Sequence, residues 1–207
     1  LSSENYSLET GIESFENLQQ GDSDRFQFIL PYYNLNTVLD EKFLGSALNF
    51  KSSGNNNLSN TNNLKTNIIN DFNLNSKNYF SQLGFLSNYS FDVKNLNSLG
   101  KKNSEYKSSP QIELTSLFTV NTSIPLIKIN NNYSNYLTPK ASLRINPSDM
   151  KNYSSSDKKI TAGNIFSKNR LGFDDTFESG RSLTLGLDYK IEHNELDDIN
   201  NYFEMKL

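Results

Sequence analysis

The feature that most constrains the fold is an unbroken alternation of apolar and polar residues over positions 182–192. Its apolar members are Leu183, Leu185, Leu187, Tyr189 and Ile191, and polar or small residues occupy the positions between them. A side-chain period of two indicates a β-strand with one apolar and one polar face. Residues 141–146 repeat the pattern, and a polar stretch of roughly thirty residues separates the two strands. This layout is typical of a hairpin in a transmembrane β-barrel.

The same alternation recurs along the whole chain and predicts about nine antiparallel strands. The predicted strands are residues 6–16, 25–37, 43–51, 64–74, 83–93, 112–122, 137–146 and 182–192, with a last strand that begins at 203. Pro31 lies inside the second of these, and proline cannot donate a hydrogen bond to a strand ladder. We therefore expect a bulge or a slip of register at Pro31.

Polar connections of unequal length separate the predicted strands. Residues 17–24, 52–63, 94–109 and 146–180 are predicted to be long connections. The connections after the second, fourth and eighth strands are short, and residues 125–136 are intermediate. Outer-membrane barrels have short periplasmic turns and longer outer loops. The pattern therefore predicts that the long loops face the cell exterior.

Composition excludes several other classes of protein. The hydrophobic fraction is 35% and the sequence holds no cysteine. No apolar run approaches the length of a transmembrane helix, and a polar composition suits a large barrel with a wet inner face. The net charge is −3, whereas a nucleic-acid-binding protein typically carries a basic patch. Without cysteine there are no disulfides or thiolate metal sites in this segment.

Catalytic and metal-binding patterns are absent from the sequence. His193 is the only histidine, whereas a zinc site needs three or four ligands. The acidic pairs Asp174-Asp175 and Asp197-Asp198 lack the spacing of a calcium loop. No motif of a serine hydrolase, phosphate loop or zinc protease occurs. We expect no enzymatic activity, no cofactor and no bound metal.

Three basic residues lie on predicted polar faces and would point into a barrel lumen. They are Arg25, Arg144 and Lys190. In a lumen they could contact the phosphates of lipid A or a plug protein. The alternative is that they form part of an ordinary wet lumen wall.

The segment from Pro110 to Ile191 also resembles the barrel of the LptD (OstA) family of outer-membrane lipopolysaccharide-assembly proteins. The resemblance lies in a strand start at Pro110-Gln111-Ile112, a second strand start at residues 137–140 that includes Pro139, and a loop motif IFSKNR at 165–170 that includes Asn169 and Arg170. Gly172, Asp174 and the strand SLTLGL at 182–187, with Gly186, complete it. Thr138 and Lys140 depart from the Glu and Arg that are usual in the family.

The resemblance implies a function in lipopolysaccharide transport without covalent chemistry. A protein similar to this family would insert lipopolysaccharide into the outer leaflet of the Gram-negative outer membrane through a large barrel that opens laterally. The implied partners are lipopolysaccharide, membrane lipids, a plug lipoprotein (LptE) and a periplasmic bridge protein (LptA). The resemblance implies structural roles for the motif residues. For Asn169 and Arg170 it implies that they close a loop.

The chain begins and ends within strand patterns, so we expect part of a larger barrel. Residues 1–207 would then form an open, curved antiparallel sheet within one barrel domain, without the periplasmic domain of the family. Two alternatives remain open at this point. The chain could belong to another outer-membrane barrel, such as a porin or a TonB-dependent receptor, or to a soluble extracellular β-sandwich adhesin.

Overall fold

The computed structural model describes residues 5–16, 18, 26–43, 45–59, 62–130, 132–149, 157–193 and 202–206. These ranges contain eleven β-strands and no helix. The strands are β1 (Tyr6–Glu16), β2 (Phe26–Phe43), β3 (Ser46–Ser59), β4 (Asn63–Ser76), β5 (Tyr79–Phe80), β6 (Leu86–Lys101), β7 (Gln111–Ser123), β8 (Leu126–Ile129), β9 (Tyr133–Asn146), β10 (Gly180–His193) and β11 (Tyr202–Lys206). In this described part of the chain, no helix is long and apolar enough to cross a membrane.

The strands form one antiparallel sheet that is not closed. Their hydrogen-bonded order is β1-β2-β3-β4-β6-β7-β9-β10-β11, with the short strands β5 and β8 paired to β6 and β9. The order begins at β1 and ends at β11. The predicted all-β class and open antiparallel sheet are therefore confirmed, and the main path has the nine strands that the alternation predicts.

The chain divides into two compact units. The first comprises Leu1–Leu74, Asp92–Ser116 and Asp174–Thr176, and the second comprises Asn75–Phe91, Leu117–Phe173 and Phe177–Leu207. The first unit therefore holds β1, β2 and β3, and the second holds β5, β8, β9, β10 and β11. Strands β4, β6 and β7 contribute residues to both.

Within the first unit, the ladder of β2 slips on both sides of the same short segment. The β1–β2 pairing shifts between Gly11 and Glu13, and the β2–β3 pairing shifts between Ile29 and Tyr32. Pro31 lies inside the second shift, where a residue without an N–H cannot continue the ladder. The predicted slip of register at Pro31 is confirmed.

Two predicted loops are mostly or partly strand. β3 continues to Ser59, and residues 52–59 pair with β2. β6 continues to Lys101, so residues 94–101 are also extended. Asn, Ser and Gly favour turns, but the long neighbouring strand gives residues 52–59 pairing partners, and such pairing overrides local preference. The predicted long loop at 52–63 is therefore wrong, and the one at 94–109 is wrong over residues 94–101 and right over 102–109.

The predicted alternation of long and short connections fails at residues 60–62 for the same reason. The connections at these two places shrink to residues 60–62 and 102–110, and residues 125–136 contain β8 and the start of β9. Among the connections bounded by described strands, the one from β9 to β10, residues 147–179, is the longest, and those from β1 to β2 and from β6 to β7 have nine residues each. The connection from β9 to β10 lies in the predicted 146–180 loop.

In the second unit, β9 and β10 pair continuously from Asn146↔Gly180 to Tyr133↔His193. The other edge of β9 is shared by two strands, because residues 140–145 pair with β7 and residues 134–137 pair with β8. Pro139 lies at the break between them, and its carbonyl oxygen accepts a hydrogen bond from the Ile124 amide at 3.0 Å. The N and O of one strand residue point to the same side, so the missing N–H of Pro139 also falls at this break.

The two faces of the strands have the reverse of the usual polarity. Leu183 and Leu185 are 67% and 73% exposed, whereas Thr184 between them is 8% exposed. Among the described residues, fifteen polar but only five apolar side chains are buried. Soluble domains bury their Leu, Ile and Phe side chains. On β10 the apolar side chains Leu183 and Leu185 are therefore on the exposed face, and the polar Thr184 is on the buried one.

Two consecutive tyrosines of β2 each cover a glycine on a neighbouring strand. Tyr32 lies opposite Gly11 of β1, and Tyr33 lies opposite Gly54 of β3. A Cβ at Gly11 would be 2.8 Å from the Tyr32 hydroxyl, and one at Gly54 would be 2.5 Å from a ring carbon of Tyr33. Each glycine therefore leaves the space that the opposite ring fills.

We predict that Gly54→Ala destabilises the first unit. The new methyl group would also lie 3.3 Å from the Asn67 carbonyl oxygen, and the Tyr33 ring is held by a 3.0 Å hydrogen bond between its hydroxyl and Ser52. Crowding of this kind costs about 1–3 kcal/mol. Urea unfolding of the chain in detergent micelles measures the change. The control Ser53→Ala should leave the midpoint unchanged, and an unaltered midpoint for Gly54→Ala would contradict the packing argument.

Candidate functional site

The second unit contains a polar cavity of about 200 Å³. Its strand-borne lining consists of Asn88, Tyr89 and Ser90 of β6, Thr119 and Asn121 of β7, Ser142 and Arg144 of β9, and Asn75 and Ser76 at the end of β4. The connection between β9 and β10 completes the lining with Phe166, Ser167 and Lys168. Hydroxyl, amide and basic groups therefore dominate the cavity surface.

Hydrogen bonds between neighbouring strands hold the lining in place. The hydroxyls of Ser90 and Thr119 lie 2.7 Å apart. Asn121 donates from Nδ2 to Oδ1 of Asn88 at 3.1 Å, and its own Oδ1 accepts from the Ser142 hydroxyl at 2.7 Å. Buried polar groups need such partners, because an unsatisfied one costs its full desolvation penalty. These contacts tie the three strands of the cavity wall to one another.

Arg144 joins the long connection to the strand wall. It is 3% exposed, and its guanidinium donates to the carbonyl oxygens of Ser167, at 3.1 Å, and Lys168. Lys168 in turn donates from Nζ to Oδ1 of Asn75 at 2.8 Å. The sequence predicts Arg144 on a lumen-facing polar surface, and the structure places it on the buried polar face of β9.

Lys140 makes a further contact with the connection. Its ammonium lies 4.4 Å from the ring centroid of Phe166 and 2.7 Å from both carboxylate oxygens of Asp188 on β10. A cation over an aromatic face is attracted by the ring quadrupole. Phe166 is thereby held at the cavity surface.

An ion pair between Arg170 and Glu178 joins two parts of the connection that precede β10. Arg170 is 7% exposed and bonds Glu178 through two parallel hydrogen bonds, from Nε at 2.8 Å and from a terminal nitrogen at 2.7 Å. Asn146 at the end of β9 donates to the carbonyl oxygens of Phe177 and Glu178, at 3.2 and 3.0 Å. The two-pronged geometry fixes the orientation of both partners.

Asn169 and Gly172, two of the predicted motif residues, form a tight turn in this connection. The Asn169 side chain donates to the Phe173 carbonyl oxygen at 2.7 Å and accepts from the Phe173 amide at 3.3 Å. Gly172 has a φ of +63°, a left-handed conformation that favours glycine. These contacts give Asn169 a local structural role in the loop.

The other motif residues lie apart from the cavity. Gln111 opens β7, and its side chain donates to the carbonyl oxygens of Ser109 and Pro110. Gly186 lies opposite Lys140, and Pro139 lies opposite Leu187. In the first unit the carbonyl oxygen of Asp174 accepts a hydrogen bond from Lys94. The motif therefore marks several structural positions and not one site.

Lys190 lies beside a second cavity of about 360 Å³ in the same unit. It forms an ion pair with Glu192 and pairs in register with Glu204 of β11. Asp188, Tyr136 and Thr138 also line this cavity. Arg25, the third predicted lumen residue, lies outside the described residues.

His193 and Tyr106 occupy structural positions. His193, the last residue of β10, packs edge-on against Tyr133 with ring centroids 4.8 Å apart.

Burial in the first unit raises the pKa of Tyr106 to about 12. The part of the chain that the structure describes holds no group of three or more His, Cys, Asp or Glu residues suited to a metal ion.

The sequence reasoning missed Phe166 and Lys168 as cavity residues. Both lie inside the motif at residues 165–170, whereas only Asn169 and Arg170 were assigned. The sequence did offer one indication of a binding surface. An aromatic and a basic residue lie close to Arg170, in a loop that follows a strand with a polar face. Their position at the cavity depends on the fold of the connection, which has no periodicity of its own.

A scan against protein-family models and a search of curated proteins each find no match to this chain. The function is therefore argued from the fold, the cavity and the motif residues.

We predict that Arg170→Ala loosens the connection between β9 and β10. It would leave Glu178, whose side chain is 22% exposed, without its two-pronged partner, and a hydrogen-bonded contact with a charged group contributes about 1.5–3 kcal/mol. Limited chymotrypsin digestion should cleave next to Phe166 or Phe173 much faster than in the unaltered chain. The control is Arg181→Ala, which removes an exposed arginine at the start of β10. Equal cleavage of all three proteins would show that the ion pair does not order the connection.

Proposed function

We propose that this chain forms part of the wall of a β-barrel in the outer membrane of a Gram-negative bacterium. The observation that carries the proposal is the reversed polarity of the strand faces. Leu183 and Leu185 point outward, while Ser142, Arg144 and Thr184 are buried on the other face. A transmembrane barrel has an apolar band toward lipid and a polar interior.

Strand length and pairing fit the same environment. The main strands β6, β9 and β10 have 16, 14 and 14 residues, and about 9–11 tilted residues suffice to cross a bilayer. The strands between β1 and β11 are paired on both sides and satisfy their backbone N–H and C=O groups within the sheet, whereas the open edges of β1 and β11 would have to pair with further strands of the barrel. By contrast, a β-sandwich packs two sheets over an apolar core. One sheet with a polar buried face argues against the soluble adhesin.

Within this class, we propose that the barrel inserts lipopolysaccharide into the outer leaflet. The support is the order of motif residues from Pro110 to Ile191, together with a polar inner face that suits the sugar part of the lipid. Acyl chains would leave through a loosened seam between strands. A plug lipoprotein similar to LptE and a periplasmic bridge similar to LptA are the partners that this function requires. No covalent step is needed.

Depletion of the protein that contains this chain tests the lipopolysaccharide proposal. We expect newly made lipopolysaccharide to stop reaching the cell surface, as measured by surface labelling of its sugar part. A porin or a TonB-dependent receptor would give a different result, since its depletion would reduce solute uptake and leave surface lipopolysaccharide at its normal level. That second result would refute the proposed function while retaining the barrel.

We predict that Leu185→Arg blocks assembly into a bilayer. An arginine on the lipid-facing surface costs about 2–4 kcal/mol at mid-bilayer depth. Heat-modifiable migration of the chain, expressed within its parent protein, reports the folded membrane form. The control Thr138→Arg puts the same side chain into the 360 Å³ cavity beside Asp188 and Glu192, so it should assemble normally. Equal assembly of both variants would contradict a membrane location for β10.

A further inference from the structure

We infer that the 200 Å³ cavity of the second unit binds one sugar residue that carries a carboxylate or a phosphate. The inference deepens the proposed function, and it rests on that function for the natural source of the sugar. The chemistry of the cavity itself carries the ligand class. Four features of the lining support it: size, hydrogen-bonding capacity, an aromatic surface and charge.

The size of the cavity suits a single sugar ring. Its volume of about 200 Å³ equals the share of about seven liquid water molecules at about 30 Å³ each. A six-membered ring with its hydroxyl groups occupies a comparable volume, whereas an acyl chain would need a longer apolar channel. The lining offers no such channel, because hydroxyl, amide and basic side chains alternate around it.

The amide side chains match the hydroxyl groups of a sugar. Asn75, Asn88 and Asn121 line the cavity from three different strands. An amide side chain both donates and accepts hydrogen bonds, as a sugar hydroxyl does. Their mutual contacts with Ser142 and Lys168 hold them in fixed positions. Binding would therefore need little ordering of these groups, and pre-organisation favours affinity.

Phe166 gives the cavity one apolar surface. The C–H face of a sugar ring packs against an aromatic ring, while its hydroxyl groups reach polar partners at the rim. Ligand sites commonly combine aromatic side chains with a few placed polar groups in this way. The Lys140 ammonium, 4.4 Å from the Phe166 ring centroid, fixes the aromatic side chain on the strand wall.

The charge of the lining selects for an acidic ligand. Arg144 and Lys168 line the cavity, and the described lining residues include no Asp or Glu. Guanidinium and ammonium groups form their strongest hydrogen bonds with carboxylate and phosphate oxygens. The second cavity has the opposite character, since Asp188, Glu192 and Glu204 line it. An acidic sugar would therefore be favoured only at the first cavity.

The absence of tryptophan from the chain allows a direct binding test. Phe166→Trp places a single fluorescent reporter at the cavity and keeps an aromatic surface under Lys140. The full chain in detergent micelles is titrated with galacturonate and glucose 1-phosphate, and with glucose and inorganic phosphate for comparison. We expect both acidic sugars to change the emission at concentrations about tenfold lower than either comparison compound.

Variants in the same reporter background test the basic residue. Lys168→Gln should weaken the response to both acidic sugars about tenfold and leave the response to glucose unchanged. Lys168→Arg should retain the preference, which separates loss of charge from loss of loop structure. Lys190→Gln, a matched change beside the second cavity, should have no effect.

The inference is overturned if glucose binds as well as the acidic sugars, or if Lys168→Gln binds them as well as the reporter protein does. It is also overturned if neither Phe166→Trp nor a second reporter, Tyr89→Trp, responds to any sugar. Binding in micelles does not depend on transport, so failure of the lipopolysaccharide depletion test with intact sugar binding would refute only the proposed function. If depletion stops lipopolysaccharide from reaching the surface but the cavity binds no sugar, only the proposed sugar site is refuted.

Discussion

A buried polar face has to satisfy its hydrogen bonds from its own side chains, and the second unit depends on this requirement. Ser90 meets Thr119, and Asn121 bridges Asn88 and Ser142 across three strands. Each of these contacts exists in only one register, because a shift by one residue would turn every side chain to the other face. Such a shift would leave amides and hydroxyls unpaired in a low dielectric, where an unpaired polar group is costly.

The order of residues 157–179, the described part of the long connection that leads into β10, follows from the same requirement. Arg144 and Asn146 carry donors that the strand ladder cannot satisfy, and they bond backbone carbonyl oxygens of the connection. A polar segment of this length would otherwise retain its conformational entropy. The strand wall thus determines the path of a segment whose sequence has no period. The cavity exists because that path brings Phe166 and Lys168 back to β9.

Periodic segments were predictable from sequence, and segments specified by their neighbours were not. Residues 182–192 alternate without interruption, so both the strand β10 and its division into an apolar and a polar face could be derived from them. Residues 52–59 are Asn- and Ser-rich, and only their pairing with β2 makes them a strand. The burial of Lys94 was not predictable either, because it depends on an ion pair with Asp71 on another strand. Arg144 was placed correctly on a polar face, but its bonds to Ser167 and Lys168 span more than twenty residues and leave no local signal.

The two tyrosines of β2 have a consequence for how the neighbouring strands find one another. Successive side chains of a strand point to opposite faces, so Tyr32 and Tyr33 lie on opposite faces of β2, over Gly11 and Gly54. A slipped alignment would bring a residue with a Cβ under one of the rings and would be rejected by shape alone. Positions 11 and 32, and positions 33 and 54, should therefore change together during evolution. If either tyrosine were replaced by a smaller residue, the glycine opposite it could be replaced by a residue with a Cβ.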